Sequence, residues 1–122
     1  MEHLINWVEI PVTDIERAKQ FYSSVLGGII FRDMDAGDTR YALFPASDRF
    51  NCGALVQGPY YTPSRDGIGI YLDGGKDMST ILEQVVPAGG QVLMPKTHTG
   101  MEAGYIGMFL DTEGNKIGLQ HM

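Results

Sequence analysis

Cysteine is almost missing from this chain: Cys52 stands alone among 122 residues. A lone cysteine excludes an intrachain disulfide, which fits a reducing, cytoplasmic setting. With no activating base evident beside it in sequence, Cys52 reads as a small core residue rather than a nucleophile. Basic residues are also few, nine Lys and Arg against fifteen Asp and Glu, for a net charge of −6. They are scattered singly, which argues against a nucleic-acid partner, because phosphate binding needs clustered cations. No apolar run approaches the roughly 18 residues of a membrane span. The first four residues, Met1 to Leu4, lack the basic and apolar regions of a signal peptide. The expectation is a cytoplasmic protein with no membrane partner. Its 43 % hydrophobic and 20 % charged residues suit one globular domain, residues 1–122, with a core of its own.

Patterning shows a tandem repeat. Val8, Ile10 and Val12 alternate with Trp7, Glu9 and Pro11, a strand signal over residues 5–12, and Pro11 suggests an edge. Thr13 with Glu16 has the form of a capping box. Ile15, Ala18, Phe21, Tyr22, Val25 and Leu26 then recur at helical spacing until Gly27-Gly28 stops the helix. Strand-like runs follow at 29–32, 40–44 and 53–57, separated by the polar or Gly/Pro segments 33–39 and 45–51. A linker rich in Pro, Tyr and Gly, about 58–66, closes the first module, about 4–57. The order then repeats over about 67–121. It begins with a strand at 68–72. A second helix follows, capped by Asp77, carrying Met78, Ile81, Leu82 and Val85 on one face and ended by Pro87. Strands at 91–94, 105–110 and 116–121 complete it. Asp111-Thr112-Glu113-Gly114-Asn115 is the turn between the last two. The expected fold is α+β. Tandem βαβββ modules form a curved, mostly antiparallel sheet around a concave cup, with helices on the outside.

Two stretches carry a family resemblance: Pro11-Val12-Thr13-Asp14 with Ala18-Lys19-Gln20-Phe21-Tyr22 and Leu26-Gly27, and Phe109 to Ile117 around Asp111-Thr112-Glu113-Gly114-Asn115. Together they resemble the vicinal-oxygen-chelate superfamily, which includes glyoxalase I, bleomycin-resistance proteins and extradiol dioxygenases. Thr112 stands where the superfamily's hairpin usually has Pro. Met94-Pro95-Lys96-Thr97 with Tyr105-Ile106-Gly107 is similar to a glyoxalase-related subgroup. The resemblance covers essentially the whole chain. It implies a small-molecule site in the cup and, in metal-dependent members, inward His, Gln or Glu ligands. Counted from the matched motifs, those positions fall on Trp7, Gly67 and Gly118, with the fourth within Ala54 to Val56. None offers a side-chain donor for a divalent ion, so the expected metal and cofactor content is none. His3, His98 and His121 form no ligand pair and read as solvated residues.

If Trp7, Gly67 and Gly118 face inward, alternation brings Glu9, Gly69, Tyr71 and Gln120 with them. The outward set is then Val8, Ile10, Ile68, Ile70, Leu72, Ile117 and Leu119, aliphatic throughout, as a face under helices should be. Trp7, Gly67, Gly69, Tyr71, Gly118 and Gln120 are therefore candidate ligand-binding residues. Glu9 is the candidate catalytic residue, because a partly desolvated carboxylate beside Trp7 suits acid/base work. The glycines equally suit sheet curvature alone, and Glu9 equally suits solvent or a surface cation. Tyr41, Tyr60, Tyr61 and Tyr105 read as packing or fencing residues. Three functions stay open: a metal-independent lyase or isomerase acting on a small oxygenated molecule, a small-molecule binding or sequestration protein of bleomycin-resistance type, and a paralogue kept for a protein partner. A homodimer is expected, since sheet edges need cover and relatives commonly pair with twofold symmetry.

Overall fold

A computed structural model describes residues 5–45 and 52–122. The first unit runs β1 (Val8–Pro11), α1 (Ile15–Val25), β2 (Arg32–Ala36), β3 (Thr39–Leu43), β4 (Gly53–Gln57). The second runs β5 (Tyr71–Asp73), α2 (Ser79–Val85), β6 (Gln91–His98), β7 (Tyr105–Leu110), β8 (Lys116–His121). The sheet orders correspond, β1-β4-β3-β2 and β5-β8-β7-β6. In each, the first strand pairs parallel with the last and the other pairs are antiparallel. The result is the expected open, curved α+β fold of two βαβββ repeats. No helix among the described residues is long and apolar enough to cross a membrane.

The helical stripe of α1 is the centre of the core. Ile15, Ala18, Phe21, Tyr22 and Val25 are all buried. They pack with Ile10, Leu55, Met78, Val85, Phe109, Ile117 and Leu119 in one cluster drawn from both units. Phe21 meets Phe109 of β7 with ring centroids 5.7 Å apart. The C-terminus of α1 closes as its glycines require. Gly28 N–H donates to the Ser23 carbonyl at 2.7 Å, and Gly27 and Gly28 take φ of 74° and 81°, a region open mainly to glycine.

The N-terminus of α1 corrects the capping box. The cap is Asp14, whose carboxylate accepts from Arg17 N–H at 3.1 Å, while Glu16 turns to Lys19 and Arg40. The carboxylate that the box assigned to Glu16 comes instead from the second unit. Glu113 accepts from Thr13 N–H, Thr13 Oγ1 and Asp14 N–H at 2.8–2.9 Å, and from Arg17 Nε at 2.7 Å. Its side chain is fully enclosed. Beside it, Asp111 Oδ1 accepts from the Glu113 and Asn115 N–H groups. The buried Tyr22 hydroxyl donates to Asp111 Oδ2 at 2.6 Å, and Asn115 Nδ2 donates to the Pro11 carbonyl at 2.7 Å. The β7–β8 turn is thus tied to both β1 and α1.

Several boundaries differ from the sequence expectation. The run at 29–32 is not the second strand; β2 lies at Arg32–Ala36, in the segment read as a loop, because Gly37 (φ 65°) and Asp38 make a two-residue hairpin turn into β3. Strand β6 continues through two register shifts to His98. Strand β5 is only Tyr71–Asp73, and Ile68, expected under a helix, is 94 % exposed. The cause is a missing partner: β8 starts at Lys116, opposite Gly69 in the parallel register, so chain upstream of Gly69 has no β8 residue to pair with, and Gly67 and Gly69 add no strand preference. Cys52 is exposed rather than a core residue, since it precedes the first buried position of β4. His121 is buried rather than solvated. It stacks on Tyr105 at 5.3 Å, and neither ring nitrogen has a hydrogen-bond partner among the described residues. His3 and most of the segment 45–51 lie outside the described residues.

Two outcomes follow from this packing. A Cβ at Gly53 would land on the Val8 carbonyl oxygen, a backbone atom that cannot yield without breaking the β1–β4 register. Gly53→Ala should therefore destabilise by more than about 2 kcal/mol in denaturant unfolding, and a melt within error of wild type would disprove the close approach. For Glu113, burial alone would raise the carboxyl, but Arg17 and the Asp14 and Thr13 donors outweigh it and hold it at about 2, against an ordinary 4.5. A depressed folded-state value means that the contribution is complete above about pH 4.5 and fades as pH falls towards 2. Glu113→Gln should cost about 2 kcal/mol at neutral pH. It should also flatten the acid limb of the melting temperature between about pH 5 and 2; an unchanged acid limb would show that Glu113 is not the group responsible.

Candidate functional site

Strand β1 has two faces with different duties. Ile10 goes into the core under α1, and Val8 lies partly buried on the same side. Trp7 and Glu9 point the opposite way, as alternation requires. Cross-strand register puts Glu9 beside Ala54 and Leu43, and Pro11 beside Val56 and Tyr41. Leu43, Ala54 and Val56 form a second small apolar cluster, covered by Tyr41 and by Tyr61 from the linker. Trp7 Nε1 donates to Glu9 Oε2 at 3.3 Å. The Tyr61 phenol is pushed up to about 12, first by the Glu9 carboxylate against it and then by burial and by Tyr41. At neutral pH Tyr61 is therefore a neutral donor facing an acceptor carboxylate.

Beside this face a cleft of about 610 Å³ separates β1 from the second unit, a volume in the range of small-molecule sites. Trp7 and Glu9 line one wall, Gly67 and Lys116 the other, with Ser64 and Asn115 at its end. Asn115 is fully committed to Pro11, Asp111 and Ser64. A Cβ at Gly67 would meet nothing within 4 Å, so the missing side chain leaves that wall open. A larger cavity of about 790 Å³ opens on the helix side of β1, among Val8, Ile10, Leu26, Phe44, Ile70 and Leu72. Both are chiefly apolar, and the larger also carries Tyr71, Asp73, Lys76 and Asp77. The smaller cleft is the better candidate because it gathers Trp7, Glu9 and Gly67 of the residues singled out in the sequence, where the larger has Tyr71 alone.

The seven residues singled out in the sequence do not all meet there. Trp7, Glu9 and Gly67 do. Tyr71 and Gly118 share a face of the second sheet, as expected, but they contact each other: a Cβ on Gly118 would lie 2.5 Å from Tyr71 Cδ1. Gly118 thus seats an aromatic ring and does not open volume for a ligand. Gln120 spends its amide on the Ala103 carbonyl at 2.5 Å, and Gly69 lines neither cavity. The sequence reading passed over Lys116 as a site residue, and Tyr41 and Tyr61 as the cover of the apolar cluster beside Glu9. The parity of Tyr41 with Leu43, and of Lys116 with Gly118, carried the signal for those two. Tyr61 lies in an aperiodic linker and gave none.

The positions that would hold a divalent ion in metal-dependent members carry an indole at Trp7, aliphatic chains at 54–56 and no side chain at Gly67 and Gly118. Among the described residues Glu9 is the only carboxylate lining the cleft. Among the described residues no three His, Cys, Asp or Glu side chains stand together. This donor set does not fit the metal that the superfamily is named for.

Comparison with known proteins agrees with this architecture. The sequence profile of the Glyoxalase/Bleomycin resistance protein/Dioxygenase superfamily matches residues 4–119. A relative named "Putative glyoxylase CFP32", from Mycobacterium bovis and from Mycobacterium tuberculosis, is 29 % identical over 93 % of this chain. The chain spans only 44 % of that relative's length. The crystal structure of a glyoxalase/bleomycin resistance protein from Albidiferax ferrireducens T118 superposes with a TM-score of 0.73 at 18 % identity, over 98 % of this chain and 99 % of the other. TnmS3, an antibiotic binding protein from Streptomyces sp. CB03234, superposes with a TM-score of 0.68 at 24 % identity, over 98 % and 95 % of the two chains. At these identities the two structures speak for the fold alone, while the profile covers nearly the whole sequence. The chain belongs to the glyoxalase/bleomycin resistance protein/dioxygenase superfamily.

Proposed function

We propose that this chain binds a small oxygenated molecule in the cleft beside β1, without a metal ion, and acts as a binding or sequestering protein. The observation that carries this reading is the pairing of Trp7 and Glu9 on one wall of the cleft. The indole offers a flat apolar surface, the carboxylate accepts from a ligand hydroxyl, and Trp7 Nε1 orients that carboxylate. A second reading has its own support: Glu9 as the acid/base of a metal-independent lyase or isomerase. Glu9 is the one carboxylate in the cleft among the described residues, and a glyoxylase-named relative is 29 % identical. The binding reading is preferred because Gln120, a donor expected beside Glu9, is engaged with the Ala103 carbonyl and lies outside that cleft. The unpaired outer edges of β2 and β6 support a homodimer as the working form. The exposed, unpaired Cys52 supports a reducing, cytoplasmic location.

Trp7 is the only tryptophan, so its fluorescence reports the cleft directly. Titration with phenol and catechol as probes should quench it saturably. Glu9→Gln should weaken catechol by about tenfold, the worth of one hydrogen bond to a charged group, at an unchanged melting temperature. In the same variant the Tyr61 hydroxyl should fall from about 12 towards the ordinary 10 in an alkaline tyrosinate absorbance titration. Failure of both probes to quench, or equal catechol affinity in Glu9→Gln, would refute the proposed site. An unmoved Tyr61 would refute the Glu9–Tyr61 contact alone.

A further inference from the structure

Lys116 opens β8 and shares a sheet face with Gly118 and Gln120, across the cleft from Trp7 and Glu9. It is half-buried. Four described cations are matched: Arg17 with Glu113, Lys19 with Asp33, Arg40 with Glu16 and Asp35, Lys96 with Asp77; among the described residues Arg32, Arg65 and Lys76 have no ion pair either, but they do not line this cleft. Lys116 has no carboxylate within 4 Å and no hydrogen-bond acceptor among the described residues. Glu9 lines the same cleft but is not its ion-pair partner. The wall therefore carries one accessible positive charge opposite one negative charge, with the Trp7 ring between the two units. Ser64 adds a hydroxyl on the same side. Its Oγ already accepts from Asp66 N–H, which leaves the hydroxyl proton to donate.

We infer that Lys116 sets the charge of the ligand: the cleft takes a flat monoanion, with its carboxylate or other oxyanion on Lys116 and its ring against Trp7. This rests on the proposed binding site and adds the ligand's chemical class to it. The arrangement is asymmetric. An anionic group gains a charge-assisted bond only at the Lys116 end, while a second anionic group at the opposite end would face Glu9 and be repelled. A hydroxyl there would instead donate to Glu9. The chain's overall charge of −6 makes this local choice the more telling, since the average field disfavours anions.

The test uses two probes of equal shape, 4-hydroxybenzoate and 4-hydroxybenzamide, read by Trp7 quenching on the full chain. The acid should bind at least about tenfold tighter than the amide at low ionic strength, roughly one charge-assisted hydrogen bond, and the gap should shrink as salt rises. Lys116→Gln should abolish the preference and Lys116→Arg should keep most of it, with melting temperatures confirming that both variants are folded. An amide that binds as tightly as the acid, or a preference that survives in Lys116→Gln, overturns the role of Lys116 while leaving the binding site standing. Absence of quenching by either probe overturns both, because it removes the site on which the inference rests.

Discussion

The enclosed carboxylate of Glu113 governs the relation between the two halves of this protein. It belongs to the last hairpin, yet its hydrogen bonds go to residues 13, 14 and 17 at the entry of the first helix. An enclosed carboxylate without partners would be costly. Here it receives the Thr13 N–H and hydroxyl, the Asp14 N–H, the Thr112 hydroxyl and the Arg17 guanidinium, so the hairpin and the helix are stable together and costly to separate. Asp111 and Asn115 extend the tie to Tyr22 and to the Pro11 carbonyl. The two stretches that carry the family resemblance are thus the two sides of one polar joint. A repeat protein whose halves met only through apolar contacts would be free to slide; directional bonds to fixed backbone groups prevent it.

The site inherits its geometry from that joint. Strand β1 is an edge strand, held on one side by β4 at the close approach over Gly53 and at its end by Asn115 on Pro11. With the strand fixed, Ile10 must enter the core and Trp7 and Glu9 must face away from it. The cleft exists because β1 and the second unit are joined at the hairpin turn but do not pair along their length. Core and site are separated by the thickness of a single strand.

Much of this could be read from the sequence, and the limits have physical causes. Helix α1 was legible because five of its side chains recur on one stripe and glycines stop it. Strands β4, β7 and β8 were legible because apolar runs are bounded by turn residues, and the faces of Trp7, Glu9, Tyr71 and Gly118 followed from alternation. What alternation cannot give is lateral position. It placed seven residues on concave faces without saying that Gly118 would be filled by Tyr71 or that Gln120 would reach Ala103. Strand β5 came out short because pairing depends on where a distant strand begins, which no local pattern encodes. The β2–β3 hairpin was missed because β2 is exposed at every residue and its few apolar positions, Met34 and Ala36, bury nothing. His121 was misplaced because a single polar residue at a chain end looks solvated until its neighbours are known. Tyr61 sits in a linker, where function depends on tertiary contact rather than on period.

The seat that Gly118 makes for Tyr71 has a consequence for the history open to this chain. In metal-dependent relatives the corresponding place holds a ligand side chain. Here any side chain at 118 must first evict the Tyr71 ring from contact at 2.5 Å, and Trp7 and Gly67 would still provide no donors. The positions are coupled, so their substitutions are not additive. A single change towards a ligand side chain at 118 costs packing before it gains any affinity. Building an ion site at these positions would require several replacements at once.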